Sequence, residues 1–115
     1  MTSEGDVGRA LVVLVTAPSS EAALALGRAL VDERLAACVN VVPGITSIYT
    51  WQGQREETAE ALLVIKTEAA GYPALERRVV ELHPYSVPEV LALPVETGAR
   101  AYLQWVRESV AVEGR

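Results

Sequence analysis

An α+β sandwich of the ferredoxin-like kind, βαββαβ with an extra C-terminal helix, is the fold that this 115-residue sequence predicts. Three observations carry the expectation. Strand-like and helix-like periodicities follow one another in the order strand, helix, strand, strand, helix, strand, helix. The most continuously apolar runs, "LVVLV" and "ALLVIK", fall in the first and third strands, as the middle of a sheet requires. The length suits one core, and apolar residues make up 50% of the chain with no Phe, so that core should be aliphatic. Two split right-handed crossovers set strands one and three side by side in the centre, expected parallel. Residues 1–9 are expected to be a disordered leader and 10–115 a single domain.

The elements follow in order. "RALVVLVTAP" is an aliphatic run ending at Pro18, the profile of a strand buried on both faces. In "SSEAALALGRALVDERLAA", Ser19 or Ser20 can cap a helix, Glu21 suits its first turn, and Ala23, Leu26 and Leu30 share one face. That helix is expected from Ser20 to Leu35. "ACVNVVPGITSIYTWQGQREETAEALLVIKT" reads as a hairpin turning at "WQGQ", where Gly53 supplies the positive φ a tight turn needs. Pro43-Gly44 interrupts its first arm and predicts a bulge or bend. "GYPALERRVVELHP" is a helix opening near Pro73 and ending at or just before His83, because the residue before Pro84 avoids helical geometry. "PEVLALPV", bounded by Pro88 and Pro94, is a short or edge strand. "ETGARAYLQWVRESVAV" closes the chain as a helix with Thr97 as its candidate cap.

The hairpin is too long for its cover. Arms of about 13 residues reach about 40 Å, more than two helices of so small a domain can shield. Ile45, Tyr49 and Trp51 recur at period two on the first arm and add a large apolar surface. Either the second and third helices fold over it, or a subunit interface covers it, and the second is expected.

Composition excludes several functions. The net charge is −5 and the ten basic residues are scattered, apart from Arg77-Arg78, so nucleic acid is not an expected partner. A lone cysteine, Cys38, forbids an internal disulfide and fits a reducing cytoplasm. The apolar run Ala10 to Val15 is too short to span a bilayer, and "MTSEGDVGR" lacks the basic start of a signal peptide. No nucleotide loop, catalytic triad or zinc spacing is present, so no enzymatic activity is expected.

Four side chains remain as candidates for chemistry. His83, the only histidine, is either a helix-terminating group bonded to loop carbonyls or a metal ligand. Cys38 is either a soft donor for copper or zinc or a small buried hydrophobe. Glu60 lies where the second hairpin arm turns apolar and is expected to be partly buried, whereas Glu56 and Glu57 look like solvated edge charges. Lys66, the only lysine, holds a carboxylate or an anion, or simply snorkels. One histidine and one cysteine cannot complete a structural zinc site, so a bound metal would need carboxylates, water or neighbouring subunits.

"LVTAPS", "LAACVNVVPGITSIYTWQGQ", "LLVIKT", "HPYSVPEVLALPV" and "YLQW", in this order from about Val12 to Trp105, resemble the CutA divalent-cation-tolerance family. The resemblance implies a compact homotrimer with hairpins reaching across subunits. It also implies a cytoplasmic protein that binds divalent cations such as Cu(II), with no metal needed for folding and no settled reaction. By the same resemblance Cys38, Glu60 and His83 lie near an inter-subunit cleft as metal donors, with Tyr49, Trp51, Lys66, Tyr85 and Trp105 around them. A thiol that some members carry in strand one is Val15 here, and a second histidine before "HPY" is Leu82. The trimer architecture resembles PII-type signalling proteins, so a scaffold binding a small anion or a protein partner is the alternative function.

Overall fold

The computed structural model describes residues 9–112. Of the leader expected over 1–9, all but Arg9 lies outside the described residues, and the Arg9 carbonyl accepts a hydrogen bond from Ala69 N–H at 2.8 Å. The elements are β1 (Ala10–Ala17), α1 (Ser20–Asp32), β2 (Cys38–Trp51), β3 (Gln54–Glu68), α2 (Tyr72–Leu82), β4 (Leu91–Pro94) and α3 (Arg100–Ser109). The strands form one four-stranded sheet in the order β2-β3-β1-β4.

Every pairing is antiparallel, including β1 with β3, which corrects the expected parallel pair. The cause is topological. The crossover through α1 makes β1 and β2 parallel to each other, and the hairpin reverses β3, which then slots between them.

Strand β1 alternates between buried and half-buried residues instead of being covered on both faces. Val13, Val15 and Ala17 pack with Leu63 and Ile65 beneath Ala23, Leu26 and Leu30 of α1 and Leu75 and Val79 of α2. Gly27 permits the close approach, since a Cβ there would stand 3.1 Å from Val39 Cγ1. The opposite face, with Val12, Leu14, Leu62 and Val64, is covered by neither α1 nor α2 and stays half-buried, and α3 packs only at its Ala10 and Cys38 end.

Helix α1 takes Ser19 as its N-cap, the Oγ accepting from Ala22 N–H at 3.1 Å, and stops at Asp32. It falls short of Leu35 because Arg34 adopts φ 60°, outside the helical region. That residue then closes the end of α3: its guanidinium donates to the carbonyls of Glu108 and Ser109, and its own carbonyl accepts from Ala111 N–H. Helix α2 carries Pro73 in its first turn and ends with His83 as C-cap, as expected. Helix α3 starts at Arg100 behind Ala99, so Thr97 does not cap it. Val106 and Val110 of this segment form a small second cluster with Ala10 and Ala37.

The hairpin turns at Gln52-Gly53 with φ 52° and 79°, a turn positive at both central residues that matches strand twist. Its outer half projects beyond α1 and α2, giving a molecule 48 Å long and 26 by 21 Å across. Neither α2 nor α3 folds over it, and Ile48 and Trp51 keep 63% and 61% of their surface exposed.

Candidate functional site

The site begins with the irregularity at Pro43-Gly44. Val42 pairs with Leu62 and Ile45 with Glu60, so β2 advances three residues while β3 advances two. Gly44 takes up the extra residue at φ 73°. Because side chains alternate, the inserted residue transfers Ile45, Tyr49 and Trp51 to the face turned away from α1 and α2, the face of Glu60 and Thr16. Without it, Thr46, Ile48 and Thr50 would stand there.

An open cleft of ≈ 700 Å³ results between the projecting hairpin and the loop after α2. Tyr49, Trp51 and Tyr85 contribute rings, Glu60 and Glu89 carboxylates, and Thr16, Ser47 and Ser86 hydroxyls. Among the described residues no lysine, arginine or histidine lines it.

His83 anchors the loop from below. It is buried, and Tyr85 N–H donates to its Nδ1 at 3.1 Å, so Nδ1 is the acceptor. The proton therefore sits on Nε2, which donates to the Thr16 carbonyl at 2.7 Å. The rings of His83 and Tyr85 lie 4.8 Å apart. Tyr85 Oη in turn donates to Glu60 Oε2 at 2.6 Å, a charge-assisted bond that orients the carboxylate. Burial, then that bond and the carboxylate's charge, push the Tyr85 phenol up to about 12, so it stays a donor at neutral pH. Across the hairpin, Tyr49 and Thr58 hydroxyls bond at 2.9 Å.

Of the residues singled out from sequence, His83, Glu60, Tyr85, Tyr49 and Trp51 come together here. Cys38, Lys66 and Trp105 do not. Cys38 pairs with Lys66, whereas His83 is tied to Thr16, whose partner is Leu62. Four residues of strand, about 13 Å, separate the two places. At that far end the Cys38 thiol donates to Asn40 Oδ1 at 3.9 Å, and the Lys66 ammonium bonds the same oxygen. Trp105 lies against Tyr102 with ring centres 5.6 Å apart and planes tilted by 40°, and burial with the adjacent Cys38 sulfur raises the Tyr102 phenol. Glu56 and Glu57 are exposed and Glu60 is nearly covered, as expected.

Sequence reasoning missed Glu89, Ser86 and Thr16. Pro84 and Pro88 flank a loop that has to turn back, and this was the available signal for the first two. The metal donors do not converge within one chain. Both His83 nitrogens are engaged by backbone, Cys38 is remote, and among the described residues no three of His, Cys, Asp and Glu are grouped to hold a metal.

An antiparallel ferredoxin-like sheet, with α1 and α2 on one face and a long bulged hairpin over an acidic aromatic cleft, defines a small α+β protein with a ligand-sized recess. Solved structures share the architecture. A divalent cation tolerance protein from Thermus thermophilus superposes with TM-score 0.87 at 55% identity, over 89% of this chain and 99% of that one. CutA1 from Oryza sativa gives TM-score 0.88 at 46% identity over 90% and 94%. A family profile described as CutA1 divalent ion tolerance protein matches residues 11–109, and the chain belongs to that family. Among sequence relatives, the Thermus divalent-cation tolerance protein CutA is 57% identical over 85% of this chain and 95% of its own length. The human protein CutA is 52% identical over 88% of this chain, which spans only 56% of the human length. An Archaeoglobus fulgidus relative, 33% identical with TM-score 0.85 over 89% of this chain and 99% of that one, is described as periplasmic. Among the described residues no helix is long and apolar enough to cross a membrane.

Proposed function

We propose that this protein is a cytoplasmic homotrimer that binds divalent cations, Cu(II) among them, and contributes to metal tolerance without catalysing a reaction. Family membership is the observation that carries the reading. Glu60 and Cys38 both stand on the face turned away from α1 and α2, Cys38 at the end where α3 packs and Glu60 toward the hairpin, so subunits closing over that face bring donors from different chains together. Weak sites follow, since one chain gathers no set of three donors among its described residues. The half-buried Val12, Leu14, Leu62 and Val64 and the exposed Leu91 and Leu93 supply the apolar surface for self-association. A lone cysteine supports the cytoplasmic assignment.

Calorimetric titration with Cu(II) and Zn(II) tests the reading. Wild type should bind, Glu60→Gln and Cys38→Ser should each bind less, and identical weak binding by all three would overturn it. Sedimentation velocity at micromolar concentration should give a trimer, and a stable monomer would remove the shared sites. A PII-like scaffold for a small anion is opposed by the cleft, which this chain lines with two carboxylates and no base. Its protein-partner form would show as a melting shift on adding the partner alone.

A further inference from the structure

We propose that His83 and Tyr85 are positioning residues for the Glu60 carboxylate, and that His83 acts through this chain of bonds instead of ligating a metal itself. The proposal rests on the reading of Glu60 as a cation donor and assigns the residues that ready it.

A histidine ligates a metal through an unprotonated ring nitrogen. His83 has none to give. Its Nδ1 lone pair accepts from Tyr85 N–H at 3.1 Å, and its Nε2 proton goes to the Thr16 carbonyl at 2.7 Å. Both partners are main-chain groups of the same subunit and the residue is only 7% exposed, so association of subunits does not have to disturb these bonds.

The bond at Nδ1 shapes the loop. A side-chain acceptor that takes the N–H two residues on makes the turn that Asn and Asp commonly form, here with an imidazole in their place. The chain bends at Pro84, just past the C-cap of α2, and Tyr85 points back at the sheet. Its Oη donates to Glu60 Oε2 at 2.6 Å and leaves Oε1 for a cation. The His83 ring, its centre 4.8 Å from that of Tyr85, keeps the phenol on this line. A carboxylate oriented before its ligand arrives loses little freedom on binding, and partners that orient a metal donor are commonly worth about tenfold or more in affinity.

Two measurements on the full chain test the proposal. Pulsed EPR of the Cu(II)-loaded protein detects imidazole nitrogen directly, and His83 is the only histidine, so any imidazole coupling would be its own. None is expected. Calorimetric titration with Cu(II) then compares variants shown to be folded by their urea midpoints. Tyr85→Phe and His83→Ala should each weaken binding by about tenfold. His83→Asn keeps an acceptor for Tyr85 N–H without an imidazole and should bind close to wild type. In a Glu60→Gln background Tyr85→Phe should have no further effect, because it acts through that carboxylate. Tyr85→Phe and the EPR spectrum carry the test if His83→Ala fails to fold. An imidazole coupling, His83→Asn as weak as His83→Ala, or Tyr85→Phe equal to wild type would each overturn the proposal while Cu(II) binding by wild type stands. Absence of binding by wild type overturns it together with the reading of Glu60 as a donor.

Discussion

Tyr85 Oη donates to Glu60 Oε2 at 2.6 Å, joining the loop after α2 to the middle of the long hairpin. The bond holds the phenol in its protonated form. The phenol's ordinary value is 10.0, and in the fold it rises to about 12. Since the proton is held more tightly in the folded protein, its contribution is complete below pH 10 and disappears as the pH climbs through about 12. Tyrosinate absorbance should therefore show one phenol ionising last, and Tyr85→Phe should remove that step. The variant should also flatten the loss of stability between pH 10 and 12 relative to wild type.

His83 is predicted to matter more for folding than a surface ligand would. Replacing it with alanine strands the Thr16 carbonyl and the Tyr85 N–H beneath the loop. Each stranded group costs about 1–3 kcal/mol, so His83→Ala should lower unfolding free energy by about 2 kcal/mol or more in urea. A loss below about 0.5 kcal/mol, within the range of ordinary surface substitutions, would contradict the bonding described.

The hairpin tip offers a pair of opposite effects. Gln52 and Gly53 both have positive φ, and Asn tolerates that conformation better than Gln. Gln52→Asn should stabilise by a few tenths of a kcal/mol, and Gly53→Ala should destabilise by about 1 kcal/mol, both read as urea midpoints.

Arg34 separates strain from capping. Arg34→Ala keeps a left-handed residue and removes the guanidinium from the α3 carbonyls, whereas Arg34→Gly removes both strain and cap. Glycine should be the milder change by about 1 kcal/mol in thermal or chemical denaturation.

The Arg78 guanidinium grips Glu33 with two bonds, 2.9 and 3.0 Å long, linking α2 to the end of α1. The bonds and charge of Arg78 lower the Glu33 carboxyl below its ordinary 4.5. A depressed carboxyl contributes stability above the unfolded value and loses it as the pH falls below 4.5, so Glu33→Gln should show a shallower acid limb in pH-dependent denaturation.

Local chemistry was legible in the sequence, and pairing at a distance was not. Pro84 told where α2 stops, Gly53 where the hairpin turns, and the polar-to-apolar change at Glu60 that this carboxylate is covered. Each depends on neighbours a few residues away. The strand register does not: that Cys38 faces Lys66 while His83 hangs from Thr16 is decided by which of several similar aliphatic runs align. Within one chain the fold therefore holds Cys38 with Lys66 and Glu60 with His83 in two separate places, a spacing that no local pattern announces. Glu89 escaped notice for a related reason, because a loop carboxylate shows no periodicity until the hairpin it faces is in place.

Pro43-Gly44 imposes an arithmetic on this protein. Beyond the bulge the two arms run in strict alternation to the tip, so their lengths can change only by whole pairs of residues. Adding or removing two residues on each arm alters how far the hairpin reaches and leaves every ring on its side. A single deletion at Gly44 restores odd-even symmetry and turns Tyr49 and Trp51 away from Glu60 in one step. Reach is thus free to drift among relatives, while handedness of the recess is switched by one codon.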